Sequence, residues 1–283
     1  MITIAPLESV RDLHECEHLQ KAIWGFEEIS VIPHHLMLTA VTNGGLALGA
    51  FEGPQMIGFL FGFPGLERGK LKHCSMICGV LPDKRFQGVG YDLKLAQREA
   101  VIRQGLDLIT WTFDPLQSPN ANFNFRKLGV IAHRYERNLY GSLRDRLNQG
   151  LETDRLTVEW WIKSPRVRTR VQQKTYPSSE SIMADTETVN HTIRRQGFLV
   201  NREYSLTHEA PQLLVEVPFQ IHEMKEKKLE LVQRWRAETR EIFEAYLHRG
   251  YVVSEFATLA LAGEKRGFYL MELRESDAIL ERT

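Results

Sequence analysis

The sequence predicts an α/β protein in which a mixed sheet is flanked by helices, and three observations carry that prediction. Short runs rich in β-branched and aromatic residues alternate with amphipathic stretches at helical spacing. Turn residues such as Glu52-Gly53-Pro54 separate the runs as hairpin punctuation. Finally, an apolar strand, His73 to Val80, runs through the turn Arg85-Phe86-Gln87-Gly88-Val89-Gly90 straight into a helix.

In chain order, Met1 to Ile4 predicts a short strand, Leu7 to Trp24 a helix, and Pro33 to Val41 a second helix. Leu46 to Phe51 and Met56 to Gly62 read as a hairpin. The helix after the glycine turn, Tyr91 to Gln104, repeats Leu93, Ala96, Ala100 and Val101 at helical spacing. Then come the strand Leu108 to Phe113, a short helix ending at Leu128-Gly129, and the strands Ile131 to Asn138 and Leu156 to Ile162. Farther on, Leu213 to Val217 is a strand and Lys225 to Arg249 a long amphipathic helix. Tyr251 to Leu259 and Gly267 to Leu273 are strands.

The turn has chemistry of its own. The first amides of a helix lack internal partners and sit at the positive end of its dipole, and Gly88 and Gly90 remove side chains that would keep a diphosphate from the backbone. It is not a P-loop, which needs Lys-Ser or Lys-Thr where this chain has Tyr91-Asp92. Nor is it a dinucleotide fingerprint, whose third glycine is replaced by Leu93. The pattern Arg85-x-x-Gly88-x-Gly90, following Val80-x-Pro82, resembles the acyl-CoA pyrophosphate loop of the GCN5-related N-acetyltransferase (GNAT) superfamily. About half of the chain follows the element order of that fold.

The resemblance implies a GNAT fold with a cofactor site. Backbone groups of Gly79, Val80 and Leu81 would align the pantetheine, the amides of Phe86, Gln87, Gly88, Val89 and Gly90 would take the pyrophosphate, and Arg85 would close it. Asn120 or Asn124 would hydrogen-bond the pantetheine arm. Phe125 stands where the family's acid tyrosine would be, so Tyr135 and Tyr140 become the candidate acids for the departing thiolate. Asp114, ending the strand expected to diverge from its neighbour, is a candidate base, or else a turn former before Pro115. His73 and Glu28 are weaker base candidates, and Glu28 lies in a loop that would cover the acceptor. Arg155 would bind an acceptor carboxylate, or else pair with Asp154 or Asp145.

The motifs Thr112-Phe113-Asp114-Pro115-Leu116, Arg134-Tyr135-x-x-Asn138-x-Tyr140-Gly141 and Thr153-Asp154-Arg155-Leu156 are similar to those of a poorly characterised bacterial branch of the superfamily, with relatives associated with N-succinylation of amino acids. The implied activity is CoA-dependent N-acyl transfer, from acetyl-CoA or succinyl-CoA, to a small amine or amino acid by direct attack on the thioester. The alternative is a non-catalytic acyl-CoA-binding or structural protein.

Composition sets bounds on partners and place. In 283 residues, Lys plus Arg and Asp plus Glu balance at 36 each, so no global attraction to nucleic acid or an anionic membrane is expected. Three cysteines, Cys16, Cys74 and Cys78, form no CxxC pair and fit a reducing, cytoplasmic compartment. Cys74 and Cys78 are expected on one face of a strand. No signal peptide or membrane span is expected, and the protein is expected as a monomer or homodimer.

A composition shift after Trp160-Trp161-Ile162 predicts three regions: 1–163, a GNAT acyl-CoA-binding domain; 164–190, a linker or edge segment; and 191–283, a degenerate GNAT-like half. The basic run Arg166-Val167-Arg168-Thr169-Arg170 reads as a charged edge strand, or as help for a CoA phosphate. His14-Glu15-x-x-His18 matches the zinc-protease pattern, but no third ligand stands at a recognisable spacing, and Leu13, Cys16, Gln20, Ile23 and Trp24 form the packing stripe of the same helix. No metal is expected, and His34-His35 reads as a helix start.

Overall fold

The computed structural model describes residues 1–85, 87–143, 148–261 and 263–282. Contacts divide the chain into two compact units, Met1–Trp111 with 143–149, and Thr112–Ser142 with Gly150–Thr283.

The first unit opens with β1 (Ile2–Pro6), α1 (Val10–Trp24) and α2 (His34–Thr42). Ser9 caps α1 by accepting from the Asp12 N–H, and Gly25 ends it in the left-handed region. Then follow β2 (Leu46–Glu52), β3 (Gln55–Glu67), β4 (Lys70–Val80), α3 (Val89–Arg103) and β5 (Leu108–Phe113), which leads out of the unit. The strands lie in the order β1-β2-β3-β4-β5, antiparallel except for the parallel pair β4 and β5.

The apolar faces divide as the periodicities require. Leu13, Cys16, Leu19 and Ile23 of α1 pack with Phe59, Phe61 and Ile77 on one side, and Val89 and Leu93 of α3 pack with Leu48, Leu60 and Cys78 on the other. A bulge in the β3–β4 register pairs Phe61 with Ile77 but Gly62 with Ser75. The extra residue shifts the pleat, so Cys74 and Cys78 lie on opposite faces, not on one. Cys78 packs beneath α3, where burial pushes its thiol up.

The second unit contains a short helix (Ser118–Ala121) continued by a π-helical turn, Asn122–Leu128, and then β6 (Ile131–Glu136) and β7 (Arg155–Trp161). Beyond these lie a hairpin of Asn190–Arg195 and Phe198–Tyr204 and the sheet strands Gln212–Val217, Val252–Leu261 and Glu264–Glu272. The expected long helix is two, Ile221–Lys227 and Leu229–His248, separated at Lys228. The Val252–Leu261 strand pairs with both β6 and the Glu264–Glu272 strand. Residues 112–142 and 150–161 thus pack with the C-terminal strands, and the contacts divide the chain near residue 111. The cause is a non-local aromatic core. Phe125 and Phe243 both pack edge-on against Tyr269, with ring centroids 5.7 and 5.2 Å away, and the Trp160 indole donates to the Leu128 carbonyl.

The segment 164–190 is mostly helical turns and ends in a two-residue edge strand, Glu187–Thr188, paired with Leu213 and Leu214, whereas its basic run is not a strand. Ser164 caps a helical turn, Pro165–Arg168, which continues as a π-helical turn, Thr169–Gln173. Arg166 and Arg170 are buried and both ion-pair with buried Glu255, so these two arginines are engaged within their own unit, whereas Arg168 is exposed and donates to the Lys163 carbonyl.

Candidate functional site

The first unit holds the glycine turn. Leu81 N–H donates to Ile57 O, a short 3-10 turn spans Pro82–Lys84, and Gly88 starts α3 at φ 89°, a left-handed value that favours glycine. The amides of Tyr91 and Asp92 turn back to the Gly88 carbonyl, leaving those of Val89 and Gly90 at the helix mouth. Gly90 needs neither a positive φ nor close packing. Among the described residues, a Cβ placed on it would meet only Val80 Cγ2, at 3.9 Å, and one on Gly88 would meet nothing within 4 Å. The bare backbone of Gly90 is thus unexplained by the packing of the described residues.

Beside this turn, β4 and β5 pair only at His73–Ile109 and Cys74–Thr110, while β4 stays paired with β3 as far as Val80. Among the described residues the ladder leaves the β5-side edge of β4 unpaired beyond Cys74. That edge presents backbone donors and acceptors up to Gly79 and Val80. Gly79 is dictated from the opposite face, where a Cβ would lie 2.3 Å from the Trp24 ring. Arg85 is exposed and reaches the carbonyls of Val80 and Ile23 at 3.5 Å each. Gln87 is exposed and reaches the Asp83 carbonyl, and Lys84 ion-pairs with Glu52 at 2.6 Å. Phe86 lies outside the described residues.

Sequence reasoning missed a buried polar cluster beneath α3. Lys94 Nζ lies 2.8 Å from Ser75 Oγ and 3.7 Å from the centroid of the Trp111 ring. Burial pulls the Lys94 ammonium down to about 8 and, with a smaller push from the Lys94 charge, the His73 imidazole down to about 4. Among the described residues, neither buried ring nitrogen of His73 finds a hydrogen-bond partner, so His73 is an interior group of β4. The available signal was the position of Lys94 next to Leu93 in the apolar stripe. Glu28 is 87% exposed and ion-paired with Lys21.

In the second unit the motif residues hold one another. Asp114 Oδ1 accepts the Leu116 N–H at 2.9 Å, the turn-forming bond, and Oδ2 lies 2.8 Å from Arg236 Nη2. Arg236 is buried, and its Nε and Nη1 find no partner. Tyr135 donates to Asp154 at 2.8 Å and stacks on Phe243; burial chiefly pushes its phenol far up. Asp154 also accepts the Asn138 N–H and two bonds from Arg240. Its burial would raise the carboxyl, but these bonds hold it below the usual range. The two motifs around Tyr135 and Asp154 are therefore mutual partners.

Tyr140 differs from Tyr135. It is 53% exposed, and its hydroxyl lies 2.8 Å from Thr112 Oγ1. Arg155 is buried, donates to the Asp154 carbonyl and lies 5.5 Å from the Tyr140 ring centroid; Asp145 lies outside the described residues. Asn120 is exposed, whereas Asn124 is buried in the π-helical turn beside fully buried Phe125.

No family model matches the chain, and no curated protein does. It is similar in fold to solved acetyltransferases at low identity. One is the ribosomal-protein-S18-alanine N-acetyltransferase from Escherichia coli, with 17% identity and a TM-score of 0.45 over 57% of this chain and 94% of that one. Another is an acetyltransferase of the GNAT family from Streptococcus pneumoniae, with 12% identity and a TM-score of 0.46 over 56% and 98%. A third is the NatC complex bound to Gag peptide and CoA, with 15% identity and a TM-score of 0.45 over 56% and 96%. Among the described residues, no helix is long and apolar enough to cross a membrane.

Proposed function

We propose that this protein is an acyl-CoA-dependent N-acyltransferase. The single observation that carries the reading is the bare backbone at Gly90, which neither a positive φ nor packing among the described residues requires, at the mouth of a helix beside a strand edge unpaired among those residues. Such a mouth suits a pyrophosphate, and such an edge suits the amides of a pantetheine arm. The donor is acetyl-CoA or succinyl-CoA, and the acceptor is a small amine or amino acid, a reading supported by the resemblance of the Thr112 to Leu116 and Thr153 to Leu156 motifs. Transfer proceeds by attack of the amine nitrogen on the thioester carbonyl, with loss of the amine proton and departure of the CoA thiolate, which takes up a proton.

Tyr140 is the proposed acid, because its side chain is half-exposed with its hydroxyl bonded only to the neutral Thr112 hydroxyl among the described residues, whereas Tyr135 is buried and bonded to the Asp154 carboxylate. Asp114 is the weaker base candidate, since both its oxygens are engaged. That engagement, together with buried Phe125, also favours a second reading in which the chain binds acyl-CoA without turnover.

Thermal unfolding with CoA, acetyl-CoA and succinyl-CoA tests the reading. A ligand at about 100 times its dissociation constant adds roughly 2.7 kcal/mol, which raises the midpoint by several degrees. Release of CoA thiol with an amine panel then separates the readings. A shift without thiol release selects the binding protein, and no shift with any of the three defeats both.

A further inference from the structure

The structure brings His34, not His18, beside His14, with Glu17 between the two imidazoles. His14 Nδ1 lies 2.8 Å from one Glu17 carboxylate oxygen, and His34 Nδ1 lies 2.8 Å from the other. His14, Glu17 and His34 each offer a ligand atom, and those atoms all lie within 4.8 Å of one another. The two imidazoles stack with centroids 4.7 Å apart at 14°, with both Nδ1 atoms turned to the same carboxylate. His18 instead lies 3.4 Å from Glu15.

The frame under these groups is rigid. His14 and Glu17 are three residues apart on α1 and so share one of its faces. His34 begins α2, and the Gln20 amide joins α1 to the chain just ahead of it, donating to the Ile32 carbonyl and accepting the Ile32 N–H. Burial would raise the Glu17 carboxyl, but bonds from the His34 backbone and ring and the nearby imidazoles hold it below the usual range. Side-chain exposures of 54%, 16% and 30% for His14, Glu17 and His34 leave a path for an ion from solvent.

We propose that His14, Glu17 and His34 form a binding site for a zinc-class divalent transition-metal ion, joining α1 to the start of α2. Two imidazole nitrogens and one carboxylate suit zinc, which takes such ligands at about 2.0–2.2 Å and leaves the fourth position to water. Ligand atoms around a tetrahedral zinc are about 3.3 Å apart, so the 2.8 Å contact of His14 with its Glu17 oxygen opens slightly, and the other ligand atoms, all within 4.8 Å of one another, adjust to the same spacing. Glu17 can keep the His34 backbone N–H on one oxygen, now at 2.6 Å, and give the other to the ion.

Titration of the purified, chelator-treated chain with zinc chloride tests the site, with cobalt(II) absorption as an independent readout of coordination. The expected result is one equivalent per chain, affinity lowered at least tenfold by His14→Ala and by His34→Gln, and affinity within twofold of the native chain for His18→Ala. The half-exposed His14 can be removed without disturbing the core, so His14→Ala decides even if the His34 variant fails to fold. No saturable binding, undiminished affinity in His14→Ala, or loss of binding in His18→Ala overturns the proposal.

Discussion

The Asp114 carboxylate and the Arg236 guanidinium, contributed by distant parts of the sequence, meet at 2.8 Å with Arg236 almost wholly buried. A buried ion pair that loses one partner leaves an uncompensated charge. Asp114→Asn keeps the Oδ1 bond to Leu116 but strands Arg236, so it should destabilise by about 3 kcal/mol. Denaturant unfolding of the variant checks this, and unchanged stability with lost turnover would return Asp114 to the role of base.

At Gly90 the prediction has the opposite character. Methionine there fits the open space and favours helix, so Gly90→Met should leave stability unchanged or raise it by about 0.5 kcal/mol. Its side chain fills the helix mouth, and CoA affinity should fall at least tenfold by calorimetry. Equal affinity in a folded variant would remove the turn as the pyrophosphate site.

Tyr140→Phe deletes the hydroxyl of a half-exposed side chain and its bond to Thr112. Stability should change by less than about 0.5 kcal/mol, while kcat for acyl transfer should fall roughly a hundredfold. Tyr135→Phe, which takes away a buried bond to Asp154, should instead lower stability by about 1 kcal/mol with turnover retained. Steady-state rates and melting curves on the two variants separate the roles.

His73 carries a pH signature. Its imidazole sits at about 4 in the folded chain and at about 6.5 in the unfolded one. As pH falls between those values, the unfolded chain takes up a proton that the folded chain refuses, and stability drops by up to about 3 kcal/mol. His73→Leu lacks this loss, so its stability relative to the native chain should rise by that amount between pH 7 and 4. Lys94, at about 8 when folded and about 10.4 unfolded, works in the alkaline window: stability should climb as pH rises through it, and Lys94→Met should abolish the climb. Flat pH differences for both variants would show these groups to be solvated.

The sequence by itself determined the local chemistry. Gly25, Gly53 and Gly88 mark ends and turns because positive φ is a property of the single residue, and strand and helix periods are set by neighbours a few positions apart. The strand, glycine turn and helix from His73 to Gln104 were therefore legible, and so was the N-terminal element order. Tertiary structure alone decided what depends on distant partners. Asp114 meets Arg236, Tyr135 meets Asp154, and Arg166 and Arg170, solvent-facing on composition, are buried against Glu255. The β4 bulge that separates Cys74 from Cys78, and the approach of His34 to His14 and Glu17, likewise leave no mark in local spacing. Burial and ion pairing arise between residues far apart in the chain, and a periodicity that spans a few residues carries no information about which of them meet.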